Sequence, residues 1–372
     1  MSKAAELAAL IGSQTALSNR NFVINGAMHV AQRSTSVASL SSTATYSTCD
    51  RFEVQYGSSG TFTESQSTTA PSGFSNSLKL DCTTADASPN YLVIMHRMEG
   101  QNLQQLKKGT SAAESTTLSF YVRSSKTGTY QVNLVDNDNT RIIGATYTIS
   151  SANTWEYKSI SFAGDTTGTL NNDNGASLQI EWWLASGSTY NSGAVPTAWE
   201  ALANGDRAAG LNVAIGASTS DDFHITGIQL EVGDVATAFE HRSFGDDYAA
   251  CQRYYFKMGQ GVGGLTLHSG GYFPYALGDS QATPTERRLF FPPVPMRTTP
   301  TLEQTGTASD YALYEADAVH ACSNVPAINS AQTSHTQFNV TFTSASNLAS
   351  GNAAEALNNN SGTAYLAFVA EL

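Results

Sequence analysis

Four aromatic residues around position 190 are the side chains whose type and spacing best suit ligand binding. Trp182 and Trp183 are neighbours in a strand-like run, and Tyr190 and Trp199 follow in a segment rich in Gly, Ser and Asn. Aromatic rings can stack on the C–H faces of sugars, while polar side chains bond to their hydroxyls. Because successive strand residues point to opposite faces, we expect one tryptophan to face a core and the other to face outward. The pattern indicates a glycan-binding surface, with a role in anchoring and bordering the core as the alternative.

Two acidic turns could supply oxygen ligands to calcium. They span residues 136–139 and 171–175, and their carboxylates are those of Asp136, Asp138 and Asp173. Neither turn fits the twelve-residue EF-hand loop. Asn and Asp are also ordinary turn residues, because their side chains mimic a backbone turn. The sequence therefore favours plain turns and predicts no metal or cofactor, with a structural calcium ion as the alternative.

No catalytic constellation can be assembled from the sequence. The GxSxG and HExxH motifs are absent, and the seven histidines are scattered. Glu240 and His241 are adjacent, but neighbours on a strand point to opposite faces, so we interpret them as structural. The glycine run at 259–264 resembles a dinucleotide loop, yet no amphipathic helix follows it. We therefore predict that the protein is not an enzyme.

Composition and charge disfavour several classes of partner. The 372 residues carry a net charge of −12 at pH 7, and charged residues make up only 13% of the chain. Nucleic-acid binding usually needs a basic face, so we expect no nucleic-acid partner. No stretch approaches about 18 consecutive apolar residues, so we expect no membrane insertion. The first residues also lack the basic and apolar regions of a signal peptide.

The four cysteines are far apart and show no CxxC spacing, which disfavours a zinc site. Isolated cysteines usually pack as small apolar residues. We therefore predict free, buried thiols at Cys49, Cys82, Cys251 and Cys322, with a Cys49–Cys82 bridge as the alternative. Free thiols favour assembly of the chain in a reducing cytoplasm.

Short strand-like runs dominate residues 26–245. Several of them alternate polar and apolar side chains, as expected where one face is buried, and turn clusters separate them. The pattern predicts an all-β fold, a jelly-roll or β-sandwich domain, with one short helical turn at Gln101–Leu106. The predicted strands are Arg51–Tyr56, Ser77–Cys82, Tyr91–Met95, Thr117–Val122, Tyr130–Val135, Ile142–Ile149, Glu156–Phe162, Leu178–Leu184 and Phe223–Val232.

Residues 1–25 are predicted to form a separate attachment or oligomerisation segment. Apolar residues recur at helical spacing over residues 3–18, so a short helix is expected there. So short a helix is marginal alone and needs a surface to pack against. The candidate contact residues are Leu7, Leu10, Ile11 and Leu17.

A smaller C-terminal β domain is predicted over residues 246–372. Asp246–Tyr255 reads as a linker passing into a new element, and Phe291–Pro295 cannot be a central strand because proline cannot donate to a ladder. The chain ends on an apolar run, so we expect its last residues to lie in a sheet. The apolar runs of this domain are Leu265–Leu267, Arg288–Phe291, Phe338–Phe342 and Ala364–Val369.

Two parts of the sequence carry a resemblance to a known family. One is Ser18–Met28 (SNRNFVINGAM), which continues through Val30–Arg33, and the other lies within residues 225–255. The second part contains the runs ITGIQLEVG, FEHR and CQRYY. Together these motifs resemble phage tail-fibre and related virion proteins. Glu99–Leu103 and Leu118–Val122 fit the sandwich of that family, which is similar to carbohydrate-binding-module jelly rolls.

The resemblance implies a virion protein and a homotrimer, assembled in the host cytoplasm. It suggests a fibre subunit that attaches through its N-terminus to a tail, baseplate or head protein and presents β domains to a host-surface glycan. A structural decoration or baseplate component without a receptor is the alternative. A surface-polysaccharide depolymerase is disfavoured, because the sequence places no paired carboxylates across a groove.

Overall fold

A computed structural model describes residues 19–42, 44–259, 285–315, 318–346, 348–349, 354–359 and 364–372. The predicted helix over 3–18, with Leu7, Leu10, Ile11 and Leu17, lies outside the described residues, as does the run at 265–267. The chain divides into two compact units between Asp247 and Tyr248.

The first unit is built from two antiparallel sheets, whose strands are numbered in chain order. The six-stranded sheet has the order β1 (Ser36–Leu40), β4 (Thr61–Ser67), β5 (Ser77–Thr84), β13 (Asp222–Val232), β7 (Thr116–Ser124) and β10 (Glu156–Phe162). The seven-stranded sheet has the order β12 (Glu200–Ala201), β9 (Arg141–Ile149), β8 (Gly128–Asp136), β11 (Ala176–Ser186), β6 (Tyr91–Glu99), β3 (Phe52–Gly57) and β2 (Ala44–Thr45). The predicted all-β sandwich is confirmed.

One apolar core fills the space between the two sheets. Phe120 on β7 meets Trp182 on β11 edge to face, with ring centroids 6.0 Å apart. Tyr130 on β8 likewise meets Phe223 on β13 at 5.8 Å. Alternate residues of each strand supply these contacts, since successive side chains point to opposite faces of a sheet. All nine predicted strands are present in the structure. They could be predicted because this alternation is visible in the sequence.

Strand β4 was missed because it is polar. Its sequence is TFTESQS, and only Phe62 is apolar. Glu64 is nevertheless fully buried on the same inward-facing side, where its carboxylate accepts hydrogen bonds from Thr48 and Tyr56. A buried carboxylate with hydroxyl partners leaves no hydrophobic signal for a pattern to detect.

Within the first unit, the first of the two resemblance motifs lies beside the run ITGIQLEVG of the second. The N–H of Phe22 donates to the carbonyl of Leu230, and the N–H of Ile228 donates to the carbonyl of Gly26. A Cβ on Gly26 would lie 2.1 Å from the carbonyl oxygen of Ile228, so only glycine permits this approach. Asn21 completes the pairing, since its side chain bonds to both Ile228 and Leu230. Residues 19–25 therefore belong to the sandwich unit.

Helices in the described residues are few and short. They are α1 (Ser188–Asn191) and α2 (Phe244–Gln252), with 3-10 turns at Gly100–Asn102, Gln104–Leu106, Asn204–Asp206, Ala308–Asp310 and Ser330–Gln332. The predicted helical turn at Gln101–Leu106 is confirmed. The division between the two units falls within Asp246–Tyr255, the segment interpreted as a linker, which α2 occupies up to Gln252 before β14 begins at Tyr255. No helix in the described part of the chain is both long and apolar enough to cross a lipid bilayer.

The second unit has a three-stranded and a five-stranded antiparallel sheet. The first has the order β14 (Tyr255–Gly259), β21 (Tyr365–Val369) and β16 (Thr301–Gln304). The second has the order β15 (Thr285–Phe290), β19 (Phe338–Ser344), β18 (Ala318–Ile328), β17 (Tyr311–Glu315) and β20 (Ala354–Asn358). Phe338 and Phe368 stack in the core with ring centroids 4.2 Å apart. The last strand is the middle strand of its sheet, as predicted for the apolar end of the chain.

The four cysteines are free and buried, which confirms the prediction and excludes the Cys49–Cys82 bridge. Burial raises the pKa of Cys322 to about 12. The pKa of Cys49 is also raised well above its ordinary value, first by burial and then by the nearby carboxylate of Glu64. The thiols of Cys49 and Cys322 are therefore protonated at neutral pH and serve as small packing residues.

Candidate functional site

The predicted ligand-binding role is wrong for Trp182. Its side chain is 0% exposed and lies in the core between the sheets, so neither ring face is accessible to a ligand. Its indole N–H has no hydrogen-bond partner among the described residues. Trp182 is an anchor of the sandwich, which was the alternative interpretation.

The role is also wrong for Trp183, although its side chain points away from that core as expected. Trp183 is buried in a second apolar cluster with Val93, Met95 and Ala208 on the outer face of the seven-stranded sheet. The guanidinium of Arg207 lies 5.3 Å from its ring centroid. The chain after β11 folds back over this face, so both sides of β11 are covered.

A polar network runs beneath this cover, across the outer face of the seven-stranded sheet. Glu53 pairs with Arg97 at 2.5 Å, and the Nε of Arg97 donates to the Oε1 of Gln179 at 2.8 Å. Gln179 donates to the fully buried carboxylate of Glu181 at 2.6 Å. Glu181 also accepts from the Nε of Arg207 at 3.1 Å. Every charge in this chain of contacts has a partner, as burial of a charge requires.

Tyr190 is half-buried on the short helix α1 and forms part of the same cover. Its ring lies 5.0 Å from that of Trp183 and 5.4 Å, edge to face, from that of Tyr91. Ala208 donates its N–H to the carbonyl of Tyr190, which ties the helix to the returning chain. These contacts show that the main role of Tyr190 is packing.

Trp199 is half-buried at the opposite end of this segment and remains partly accessible. Its indole N–H donates to the carbonyl of Ala163 at 2.7 Å, and the ammonium of Lys108 lies 4.8 Å from its ring centroid. Its own carbonyl accepts from Arg141 at 3.1 Å. Trp199 is thus held in one orientation by three neighbours.

A cleft adjoins Trp199 where strand β9 of one sheet faces the edge strand β10 of the other. Its volume is about 380 Å³, within the range of small-molecule sites. Ala163, the hydrogen-bond partner of Trp199, is part of its wall. The wall combines hydroxyl groups with apolar surface, and it is formed by Ile143, Gly144, Ala145, Thr146, Ser161, Phe162, Ala163, Val195 and Thr197. Thr146 and Thr197 are exposed and can bond to a polar ligand, while the half-buried Val195 offers apolar contact.

The calcium interpretation is wrong for Asp136, because an internal cation occupies its carboxylate. The ammonium of Lys108 pairs with Asp136 and lies 2.9 Å from Asp165. It also donates to the carbonyls of Thr167 and Gly168. Two carboxylates and two carbonyls would suit a bound metal ion, but here they surround a lysine.

A second cation completes this cluster, since Arg141 pairs with Asp165 at 2.7 Å. Burial alone would raise the pKa of Asp165, but hydrogen bonds from Arg141 and Lys108 hold it below its ordinary value. The carboxylate of Asp165 is therefore ionised, and both carboxylates are paired with internal cations, which makes the cluster a structural element.

The other two calcium candidates stabilise turns. Asp138 accepts from the backbone N–H and the side-chain amide of Asn171, which ties the two acidic turns together. Asp173 accepts from the N–H of Gly175 within its own turn. Within the described ranges, no three His, Cys, Asp or Glu side chains cluster as metal ligands.

Glu240 and His241 have structural roles, and they contact different groups. The carboxylate of Glu240 accepts from the backbone N–H groups of Asn19 and Asn21. Burial alone would raise the pKa of Glu240, but these N–H groups outweigh it and hold the pKa below its usual value. Glu240 therefore fastens the start of the described chain to the segment after β13.

A row of aromatic rings crosses the outer face of the six-stranded sheet, and sequence reasoning missed it. The aromatic row comprises Tyr157 on β10, Tyr121 on β7, Phe74 between β4 and β5, and Phe239 and His241 after β13. The rings of Tyr157 and Tyr121 lie 5.0 Å apart, and those of Tyr121 and Phe74 lie 5.5 Å apart. Phe74 meets Phe239 at 4.9 Å and His241 at 5.3 Å. Tyr157 is 47% exposed.

Gly227 was a sequence signal for this row. It has a φ of +63° at a bulge in β13, and a Cβ there would lie 2.7 Å from the ring of Phe74. A glycine inside a strand often marks a bulge or a close approach by another group. At Gly227 the approaching group is the ring of Phe74, which belongs to the aromatic row.

No protein-family model matches the chain, and no curated protein matches it. Among solved structures, the enzymatically active domain of tailspike protein 4 of bacteriophage CBA120 is 10% identical, with a TM-score of 0.30, and the match covers 57% of this chain and 22% of that one. A family 11 carbohydrate-binding module from Clostridium thermocellum, in complex with a β-1,3-1,4-mixed-linked tetrasaccharide, is 11% identical, with a TM-score of 0.28 and coverage of 50% and 91%. The module TmCBM61, in complex with β-1,4-galactotriose, is 9% identical, with a TM-score of 0.29 and coverage of 58% and 100%. Similarities at this level assign no ligand or activity to the chain.

Proposed function

We propose that the protein is a non-enzymatic phage fibre subunit whose first unit binds a host-surface glycan in the cleft between β9 and β10. The observation that carries the glycan proposal is the composition of this cleft. Exposed threonine hydroxyls stand beside apolar side chains, and Trp199 is hydrogen-bonded to Ala163 in the wall of the cleft. Sugars need this combination, because they present hydroxyl groups and apolar C–H faces together.

The fibre proposal rests on the motifs at 18–33 and 225–255, which resemble those of virion proteins. In the structure the two motifs pair with each other and close one part of the sandwich. The occurrence of both motifs in one sequence therefore has a physical reason, because together they form part of the scaffold. In the proposed arrangement, the N-terminal segment attaches to a tail, baseplate or head protein, and three copies form the fibre.

The glycan proposal can be tested with a matched pair of substitutions on β9. Thr146 and Thr148 are both exposed and face the same side of the strand, but only Thr146 lines the cleft. On a glycan array, Thr146→Val combined with Thr197→Val should lower the apparent affinity at least about tenfold, the equivalent of 1.4 kcal/mol. Thr148→Val should retain wild-type binding. Failure of the wild-type protein to bind the array or any host envelope preparation would contradict the proposal.

Two further measurements test the fibre and the absence of catalysis. Electron microscopy of the particle should locate the protein in a three-fold appendage, and sedimentation should give a trimer. Purified protein spotted on a host lawn should leave no halo, since a halo would reveal depolymerase activity. A head or baseplate position without glycan binding would support the structural alternative.

A further inference from the structure

The aromatic row and the cleft share one strand. Edge strand β10 contributes Ser161 and Phe162 to the cleft and Tyr157 to the row. Tyr157, Ser159 and Ser161 alternate along β10 and therefore face the same side of the sheet. Four residues of extended strand span roughly 13 Å, which separates Tyr157 from the cleft.

Two exposed serines lie between them on β10, Ser159 and Ser161. Their partners across the sheet on β7, Ser119 and Thr117, are buried. The hydroxyl of Ser161 donates to the carbonyl of Asp234 at 2.7 Å, whereas that of Ser159 faces solvent. The path from the cleft to Tyr157 thus offers hydrogen-bonding groups next to an aromatic ring.

Two kinds of partner fit a partly exposed aromatic row, namely a protein surface and a sugar chain. Serine is depleted at protein–protein interfaces, whose centres are aromatic and aliphatic. The rings of the row are also tilted, by 52° between Tyr157 and Tyr121 and by 56° between Tyr121 and Phe74. A tilted row bordered by serines suits a single flexible chain with its own hydroxyl groups better than a second copy of the protein.

We infer that the ligand is an extended oligosaccharide, which occupies the cleft and continues along β10 to stack on Tyr157. This inference rests on the proposed function and adds a second subsite to it. Tyr157 contacts the ligand only when the sugar chain is long enough to leave the cleft. Binding should therefore depend on chain length, and the dependence should require Tyr157.

The test is an array that carries matched series of mono- to hexasaccharides of common linkages. The full-length wild-type protein should bind the longest members of a series at least about tenfold more tightly than the shortest. Tyr157→Ala should lower affinity for the longest members by up to about tenfold, the scale of one aromatic contact, and leave the shortest unchanged. Phe291→Ala is the matched control, because Phe291 is 48% exposed and lies in the second unit.

The outcomes separate the two proposals. Equal affinity for short and long members, or unchanged chain-length dependence in Tyr157→Ala, would overturn the extended site and leave the cleft proposal standing. Absence of any wild-type binding would overturn both. Thermal unfolding of the variant at the wild-type temperature would exclude loss of fold as the cause.

Discussion

The outer faces of the two sheets differ in how far their aromatic residues are exposed to solvent. On the seven-stranded sheet, Trp183 is covered by the chain that follows β11, which includes Tyr190, and Trp183 donates to a buried polar network through Glu181. On the six-stranded sheet, Tyr157 and Tyr121 stand in a row that is partly open to solvent. Aromatic residues near turn-rich sequence therefore do not reveal by themselves whether they bind a ligand. What decides is whether another segment of the chain covers them.

The largest expected effect tests the covered face. Trp183→Ala should destabilise the protein by about 3–5 kcal/mol, because it empties a buried site and leaves Glu181 without its indole donor. The measurement is the free energy of unfolding in denaturant. A loss below about 1 kcal/mol would mean that the returning chain does not cover this face in solution.

The next prediction concerns the buried charge of Lys108, the lysine that lies over the ring of Trp199. Lys108→Ala should cost about 3–5 kcal/mol, because it leaves Asp136 buried without its cation. The freed carboxylates and carbonyls are ligands that calcium accepts, so millimolar calcium should restore part of the loss. Lys107→Ala is the control, since Lys107 is half-exposed and pairs with the half-buried Glu114 on the surface. Equal stability of the two variants would contradict an internal role for Lys108.

A smaller, pH-dependent effect is expected inside the six-stranded sheet. Burial raises the pKa of Glu64 from its ordinary value of 4.5 to about 7, against the hydrogen bonds from Thr48 and Tyr56. A raised folded-state pKa favours the protonated form, so this contribution is complete below about pH 4.5 and is lost as the pH rises through about 7.

The measurement is the unfolding free energy of wild type and Glu64→Gln at pH 5 and pH 8. Relative to the variant, the wild-type protein should lose about 2 kcal/mol between these values. A parallel pH dependence of both proteins would contradict a titrating Glu64.

The smallest expected effect lies on the open face. Tyr157→Ala should change the free energy of unfolding by no more than about 0.5 kcal/mol, as is usual for surface positions. Together with the large loss expected for Trp183→Ala, this would establish that one outer face is structural and the other is free to bind. A loss of several kcal/mol would place Tyr157 in the packing of β7 and β10 instead.

The sequence by itself determined nine of the strands in the first unit. Alternation of side chains is a local property with a period of two, so Glu156–Phe162 was predicted with the observed bounds. The polar strand β4 was not predicted, because its buried Glu64 carries no hydrophobic signal. Free, buried cysteines were also predictable, because isolated thiols without metal spacing usually pack in cores.

Only the tertiary structure decided what the candidate residues do. Trp183 faces away from the central core as strand geometry requires, yet it is buried by residues that return after β11. Asp136 meets Lys108, which is distant in sequence, so no local turn pattern could reveal the internal cation. The aromatic row is assembled from separate segments of the chain for the same reason. Local periodicity sets the face on which a side chain lies, but long-range packing sets whether that face meets solvent, a ligand or the chain itself.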